Sequence, residues 1–298
     1  MNPTPRVRIA IQKKGRLSER SVELLRRCGV DFDVRTDQLL FPSSSFPIDV
    51  MLVRDDDIPL YVYEGICELG IVGQNVLEET LAARSVEVAA NVRTLTALGF
   101  GKCRLAIAVP KGDRYDGAKT LEGKRLATSY PQLLGRFLKA KGVAASCVEM
   151  NGSVEIAPAL QLADGICDLV QTGSTLVANG LREVETIFES QAVLVQTRRP
   201  LEPEKQQLVQ RLEQRVVGVT RAVGAKYVMM NAPRSALEAI RKIMPGMESP
   251  SVIPLGDDGQ KVAVHTVARE TDFWVLVEQL KAVGASSILI APVEKIID

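Results

Sequence analysis

The feature that most constrains the fold is the alternation of short apolar runs with amphipathic segments along the first part of the chain. Residues 6–11, 49–54 and 69–73 are mainly apolar and have the length of buried strands. Each is followed by a polar turn and a segment with helical spacing of its apolar residues, the first of them at residues 18–27. Buried strands that alternate with helices predict an α/β fold, in which a mostly parallel sheet is covered on both faces.

Glycines and polar residues stand where these strands end. Gly15 and Arg16 follow the first strand, residues 54–57 follow the second, and residues 73–75 follow the third. In open α/β sheets, ligands bind beyond the carboxyl ends of the strands. We therefore expect these stretches to converge on one crevice.

The strand and helix pattern begins again at residue 104 and changes character near residue 223. We predict a first lobe at residues 1–103, to which the chain returns at residues 195–222, and a second lobe at residues 104–194. Residues 223–298 follow the order strand, helix, strand, strand, helix, strand, which is typical of a small ferredoxin-like domain. A domain of this size suits a regulatory module.

The most distinctive motif lies at residues 155–176. A mainly apolar segment that contains Asp168 runs into a turn of small and polar residues, with helices expected at residues 156–162 and 176–181. The turn consists of Gln171, Thr172, Gly173, Ser174 and Thr175. A strand, a small-residue turn and a helix start can bind phosphate through backbone N–H groups and hydroxyls, and Asp168 can hold sugar hydroxyls. The motif favours a phosphorylated sugar, although ordinary turn and N-cap chemistry explains the turn equally well.

Composition narrows the classes of function. The 298 residues carry a net charge of +1 and are 46% hydrophobic, which is typical of a folded globular protein and disfavours nucleic acid as the main partner. Without an apolar run of signal-peptide or membrane-span length, we expect a cytoplasmic protein that binds no membrane. The five scattered cysteines are predicted to be free, buried thiols. The single histidine, His265, excludes a histidine dyad or histidine-rich metal site from the main body.

A phosphorylated ribose with a pyrophosphate leaving group suits such a cleft. Cleavage of its C1–O bond requires positioning, cations and hydrogen-bond donors, and no protein nucleophile. Arg16 and Arg54 are candidates for phosphate binding and leaving-group stabilisation, the alternative being solvated surface charges. Because Asp55, Asp56 and Asp57 cannot all point one way, we expect Mg²⁺ to arrive with the pyrophosphate and predict no dedicated protein site for it.

Several shorter motifs accompany the one at residues 155–176. They are Lys14-Gly15-Arg16, Arg54-Asp55-Asp56-Asp57-Ile58-Pro59, Leu69-Gly70-Ile71-Val72-Gly73, Ala127-Thr128-Ser129-Tyr130-Pro131 and Gly284-Ala285-Ser286-Ser287-Ile288-Leu289. In this order, over essentially the whole chain, the motifs closely resemble the ATP phosphoribosyltransferase family in its long form, which has a C-terminal regulatory domain. The pattern of Glu155, Asp168, Thr172, Gly173 and Thr175 is highly specific, whereas the shorter motifs are specific in combination.

The resemblance implies the first step of histidine biosynthesis, in which N1 of the ATP adenine attacks C1 of 5-phosphoribosyl 1-pyrophosphate with inversion and releases pyrophosphate with Mg²⁺. It also implies a catalytic core of two lobes like those of type II periplasmic binding proteins. On this chain, Asp168 and Glu155 would bind the phosphoribosyl group, and Arg16 and Arg54 would be catalytic. The 5-phosphate would be bound by Thr172, Gly173, Ser174 and Thr175. The ATP site or cleft wall would comprise Gly15, Asp57, Gly73 and Gln74. Gln171 departs from the family pattern, where we expect a small residue.

For residues 223–298, the resemblance implies an ACT-like, ferredoxin-like domain and feedback inhibition by histidine. It also implies a dimer that assembles into a hexamer, with the inhibitor between C-terminal domains of neighbouring subunits. The candidate residues for that pocket are Asn231, Ser251, His265 and Ser287. Each is equally consistent with a turn cap or an exposed polar residue, and a hydrogen-bonded strand histidine needs no ligand.

Two other functions fit parts of this pattern. A pair of α/β lobes with a cleft would serve an amino-acid or anion receptor equally well, and a regulatory protein could retain binding without turnover. Receptors of that kind are usually exported, and this sequence has no signal-peptide pattern. A ligand with a 5-phosphate and a ribose diol explains both Asp168 and the adjacent turn, which favours the enzyme.

Overall fold

The computed structural model describes residues 5–34, 38–84, 91–246, 249–257, 259–270 and 273–297. The chain forms two units, Met1–Glu213 and Gln214–Asp298. The division falls before residue 223, the predicted start of the regulatory domain.

The first unit contains strands from both predicted lobes. Its strands are β1 (Val7–Gln12), β2 (Leu40–Pro42), β3 (Ile48–Val53), β4 (Leu69–Gly73), β5 (Val92–Ala97), β6 (Cys103–Pro110), β7 (Arg125–Thr128), β8 (Ser146–Glu149), β9 (Gly165–Val170), β10 (Leu181–Ser190) and β11 (Ala192–Thr197). Its helices are α1 (Ser18–Arg27), α2 (Ile58–Tyr63), α3 (Gln74–Ala82), α4 (Pro131–Lys141), α5 (Ser174–Ala178) and α6 (Pro203–Arg221), of which the last continues past residue 213.

These strands form two mixed sheets, so the expectation of mostly parallel sheets was wrong. In the first sheet, with the order β2-β3-β1-β4-β11-β5, β1 is parallel to β3 and β4, but β11 is antiparallel to β4 and β5. In the second, with the order β10-β6-β9-β7-β8, β6 is antiparallel to β9 and β10. β2 and β3 are consecutive antiparallel strands, and β11 is antiparallel because the chain leaves the first sheet for the second and returns through β10.

Strand β6 of the second sheet is buried on both faces. Along β6, Leu105 and Ile107 pack with the apolar side of α4, whereas Ala106 and Ala108 pack with Val154 and other residues on the opposite face. Successive strand residues point to opposite faces, so burial of both sets means that each face of the sheet has its own core. The sheet thereby gives a rigid base to the loops at its edge.

The second unit consists of one antiparallel sheet with helices on one face. In chain order its elements are β12 (Ala225–Pro233), α7 (Leu237–Ile243), β13 (Ser251–Leu255), β14 (Lys261–Arg269), α8 (Phe273–Ala282) and β15 (Ser286–Pro292). The strand order is β13-β14-β12-β15. Val228, Met230 and Val264 pack against Ile240 of α7 and Leu280 of α8. Alternate residues of the same strands point to the other face, as the two-residue period of a strand requires.

All five cysteines are free thiols, but only three of them are buried, so the expectation of burial was wrong for Cys103, which is half-buried, and Cys147, which is exposed. Across the described ranges, we find no helix that is both long and apolar enough to cross a membrane.

Candidate active site

The parallel strands β3, β1 and β4 are neighbours in the first sheet, so their carboxyl ends lie at one edge. The turn of Gly15 and Arg16 follows β1, the segment that begins at Arg54 follows β3, and Gly73 and Gln74 join β4 to α3. The first-lobe residues singled out in the sequence therefore share one edge of one sheet, which is where ligands bind in α/β folds.

The turn after β1 requires glycine. Gly15 has a φ of +118°, and a Cβ atom on it would lie 2.6 Å from Nε2 of Gln12. The Gln12 side chain is held in turn, because its Oε1 accepts the backbone N–H of Leu17 at 3.0 Å. This packing fixes the backbone that carries Arg16, whose side chain is exposed.

The aspartates after β3 form a single 3-10 turn, Asp55–Asp57, which begins after the exposed Arg54. Loss of hydration, followed by the charge of Asp55, raises the pKa of Asp56. The charge of Asp55 also contributes to raising the pKa of Tyr130 in the second lobe. Asp55 is therefore within electrostatic range of the second lobe, although the sequence analysis assigned only Asp57 to the cleft wall.

Gly73 makes room for the side chain of its neighbour Asn75. A Cβ atom on Gly73 would lie 2.6 Å from Oδ1 of Asn75, and Asn75 is only 5% exposed. The backbone N–H of Gln74 donates to the carbonyl of Gln191, between β10 and β11, at 2.9 Å. The start of α3 is thus attached to the segment that connects the two lobes.

The charges of Glu155 and of Arg16 in the first lobe both act on Asp168. Burial raises the pKa of Asp168, and the charge of Glu155 adds to that rise. The hydrogen bond from the Leu169 N–H, 2.7 Å from Oδ1 of Asp168, and the charge of Arg16 act in the opposite direction. Arg16 is thus within electrostatic range of Asp168, although the two residues are 152 positions apart in the sequence.

The turn after β9 is open to solvent. Thr172, Ser174 and Thr175 are exposed, and Gly173 has a φ of +80° that lets the chain turn into α5. The hydroxyls of Thr172 and Ser174 lie 3.1 Å apart and form a hydrogen bond. Hydroxyls and backbone N–H groups in a turn between a strand and a helix can donate to an anion.

Two helices expected around this turn are shorter than predicted. In place of a helix at residues 156–162 there is a 3-10 turn, Val154–Ile156, and one further turn that ends where Gln161 adopts a φ of +59°. The Leu162 N–H donates to the Ala157 carbonyl at 3.0 Å, which closes that turn as in a Schellman motif. The second helix ends at Ala178 because Gly180, with a φ of +70°, redirects the chain into β10.

Contacts between the lobes involve residues to which the sequence analysis gave no individual role: Asn75 and Tyr130 stood only within longer stretches, and Glu79 and Ser190 were not named. Asn75 Nδ2 donates to the Tyr130 hydroxyl at 2.9 Å, and Ser190 Oγ donates to Asn75 Oδ1 at 2.8 Å. Glu79 accepts the backbone N–H groups of Gln132 and Leu133. A usable signal was the four-residue spacing of Asn75 and Glu79, which places both side chains on one face of a helix.

A cavity of about 610 Å³ lies where the lobes join. Its lining combines Gln74 of the first lobe and Gln171 of the second with residues at the ends of β6 and β10 and beside them, which are Lys102, Cys103, Arg104, Glu189, Ser190 and Gln191. Burial raises the pKa of the Cys103 thiol, although Ser190 and Arg16 oppose this rise. The cavity is large enough for part of a nucleotide.

The candidate histidine-site residues occupy the antiparallel sheet of the second unit. Ser251 is directly opposite His265 in the β13–β14 register, and Asn231 pairs with Ala263, two residues from His265. These side chains share the sheet face that points away from α7 and α8. His265 Nδ1 is 2.9 Å from the Tyr227 hydroxyl, so His265 has a partner within the domain. Ser287, with a φ of +49°, is exposed in β15.

Within the residues that the structure describes, no group of three or more histidine, cysteine, aspartate or glutamate side chains is arranged to bind a metal ion.

Two family models match successive parts of the chain. Residues 54–218 match a family described as ATP phosphoribosyltransferase, and residues 222–295 match the HisG C-terminal domain. The structure is similar to the ATP phosphoribosyl transferase (HisG:HisZ) complex from Thermotoga maritima, with 28% sequence identity and a TM-score of 0.58 over 70% of this chain and 98% of that chain. It also aligns with the alkanesulfonate-binding protein SsuA from Xanthomonas axonopodis pv. citri, with 17% identity and a TM-score of 0.45 over 72% of this chain and 74% of that chain.

Proposed function

We propose, because this chain belongs to the ATP phosphoribosyltransferase family, that it joins N1 of the ATP adenine to C1 of 5-phosphoribosyl 1-pyrophosphate and releases pyrophosphate. The observation that carries the proposal is the placement of Arg16 within electrostatic range of Asp168, beside Glu155. A cation from one lobe and carboxylates from the other suit a ligand that has both a polyphosphate and a ribose diol.

The residues act by positioning and charge. As the C1–O bond breaks, negative charge grows on the departing pyrophosphate, and Arg16 and Arg54 stabilise it there. Asp168 and Glu155 accept hydrogen bonds from the ribose hydroxyls. The 5-phosphate is bound by the hydroxyls and backbone N–H groups of Thr172, Gly173, Ser174 and Thr175. The attacking electron pair comes from N1 of adenine, so no protein side chain forms a bond to the sugar.

ATP occupies the first-lobe edge of the cleft. There Gly15, Asp57, Gly73 and Gln74 form the wall, and the cavity of about 610 Å³ that Gln74 lines supports this assignment. Mg²⁺ enters bound to pyrophosphate oxygens as part of the substrate. A metal held in this way requires one or two carboxylates at most, which Asp55 and Asp57 would supply.

The chain is further proposed to be the long, histidine-inhibited form, with a catalytic core of the type II periplasmic-binding-protein class. The Thermotoga protein aligns over 98% of its own length but covers only 70% of this chain, whereas residues 222–295 match the HisG C-terminal domain. The sheet order β13-β14-β12-β15 supports a ferredoxin-like, ACT-like regulatory domain. Histidine would bind at Asn231, Ser251, His265 and Ser287, between subunits of a dimer or hexamer.

The test is turnover with and without histidine. The purified protein, given ATP, 5-phosphoribosyl 1-pyrophosphate and Mg²⁺, should release pyrophosphate and accumulate N1-ribosylated adenine, detected by its ultraviolet spectrum. Free histidine should suppress both signals. Binding of both substrates without pyrophosphate release would contradict the proposed reaction and favour a binding protein, while release insensitive to histidine would contradict only the regulatory assignment.

A further inference from the structure

One face of α3 holds the start of α4 in the opposite lobe. Asn75 and Glu79 are four residues apart and therefore lie on the same side of α3. Glu79 accepts the N–H of Gln132 at 2.7 Å and the N–H of Leu133 at 2.9 Å. The N-cap residue of α4, Tyr130, makes no capping hydrogen bond with its side chain, so the cap of this helix comes from the other lobe.

The hydrogen bonds around Asn75 have a definite direction. Ser190 Oγ accepts the backbone N–H of Asn75 at 3.0 Å and donates its own proton to Asn75 Oδ1 at 2.8 Å. This leaves the NH₂ of the amide to donate to the Tyr130 hydroxyl at 2.9 Å. Asn75 is 5% exposed and Ser190 is 6% exposed, so water does not compete for these groups. Tyr130 is thus an acceptor toward Asn75, and its own proton remains to be donated elsewhere.

Tyr130 and Asp168 follow neighbouring positions of two parallel strands, because Thr128 of β7 pairs with Cys167 of β9. Burial, with the charges of Asp168, Asp55 and Cys103 adding to it, raises the pKa of Tyr130. The phenol therefore keeps its proton at neutral pH. A ligand oxygen beside Asp168 would offer this proton an acceptor.

We propose that Asn75 is a positioning residue, which holds the Tyr130 hydroxyl as an acceptor so that the phenol donates its proton to an oxygen of bound 5-phosphoribosyl 1-pyrophosphate beside Asp168. Glu79 supports the same geometry by fixing the first turn of α4. This inference rests on the proposed function, because it takes the phosphoribosyl group as the ligand at Asp168.

The Asn75→Asp variant reverses the hydrogen bond with almost no change of shape. Its ionised carboxylate still accepts from Ser190 but cannot donate, so Tyr130 must turn its proton to position 75 and away from the ligand. Calorimetric affinity for 5-phosphoribosyl 1-pyrophosphate should fall about tenfold, as expected for one lost hydrogen bond. Tyr130→Phe should cause a similar loss, and the double variant should lose no more than either single variant.

A pH series separates positioning from general damage. When the carboxyl group introduced by Asn75→Asp is protonated at low pH, it can again donate to Tyr130. The ratio of the affinity of this variant to that of the wild type should therefore rise toward one as the pH falls. The same ratio for Tyr130→Phe should stay flat. Glu78→Gln is the matched control, since Glu78 is adjacent on α3 and also reaches the other lobe, where Arg136 lies 3.4 Å away; it should bind like wild type at each pH.

Unchanged binding by Asn75→Asp would mean that Tyr130 donates to Asn75 in the native protein, which overturns the inference. Unchanged binding by Tyr130→Phe would overturn it as well. Because Tyr130→Phe removes only one oxygen, it remains a test if the Asn75→Asp variant fails to fold. The binding comparison decides the inference even if the wild type binds this substrate without releasing pyrophosphate, an outcome that would overturn only the proposed reaction.

Discussion

The two sides of the cleft differ in how completely the protein alone determines their geometry. On the first-lobe side, Gly15 and Gly73 leave space that the side chains of Gln12 and Asn75 fill, each within 2.6 Å of where a Cβ atom would lie. On the second-lobe side, a Cβ atom on Gly173 would meet only Val170, at 3.9 Å. The hydroxyls of the turn at residues 172–175 are exposed.

This difference indicates a division of tasks. The first-lobe edge is preformed, so it can fix the orientation of a nucleotide before the reaction. The second-lobe turn offers hydrogen-bond donors that gain defined partners when an anion binds. Variants on the two sides should therefore separate effects on the folded protein from effects on ligand binding.

The largest effect is expected for Gly15→Ala compared with Gly173→Ala. Both glycines have positive φ, so alanine strains the backbone by about 1–3 kcal/mol at either position. Only at Gly15 does the new methyl group also displace Gln12 and thereby the turn that carries Arg16. Urea denaturation should show a greater loss in the free energy of unfolding for Gly15→Ala, and kcat/KM for pyrophosphate release should fall by about 10²-fold.

Gly123→Ala is the control for the glycine pair, because Gly123 has a φ of +71° with nothing within 4 Å of its Cβ position. It should be destabilised as much as Gly173→Ala while retaining wild-type turnover. Equal stability of all three variants would show that the first-lobe turn is no more rigid than the second-lobe turn.

The difference between the two sides also explains what the sequence could predict. The strand ends, Arg16 and Asp168 could be predicted because apolar runs followed by glycine or polar residues mark the edge of a sheet. The individual contacts of Asn75, Tyr130 and Asp55 could not be predicted, because they depend on how one lobe packs against the other, which no local pattern records. The same holds for β11, whose antiparallel entry into the first sheet depends on the path through the second lobe.

A smaller effect is expected for Asp168→Asn, which should raise the stability of the folded protein at pH 7 but weaken substrate binding. Folding raises the pKa of Asp168 above its unfolded value of 3.8, so the folded state holds this proton more tightly. The contribution to stability is then fully present below the unfolded pKa and is lost as pH rises through the folded pKa. At pH 7 the asparagine variant should be more stable than wild type in urea, and this difference should vanish near the unfolded pKa.

The same variant should bind 5-phosphoribosyl 1-pyrophosphate more weakly by about 1.5–3 kcal/mol, since hydrogen bonds from the ribose to a carboxylate are lost. Isothermal calorimetry at pH 7 measures this loss. If Asp168→Asn is instead less stable than wild type at pH 7, Asp168 is a structural group stabilised by Arg16. Stability and binding would then fall together on this side of the cleft.

The smallest effect is expected for Ser174→Ala. Its hydroxyl is exposed and bonds only with Thr172 among the described contacts, so the free energy of unfolding should change by no more than about 0.5 kcal/mol. If the turn binds the 5-phosphate, affinity for 5-phosphoribosyl 1-pyrophosphate should fall by about 0.5–1.5 kcal/mol, with ATP affinity unchanged. Ser146→Ala, at an exposed serine of β8 in the same lobe, should leave both affinities unchanged. An equal loss for the two substrates would place the turn between them, so that the second-lobe side could no longer be assigned to the phosphoribosyl group alone.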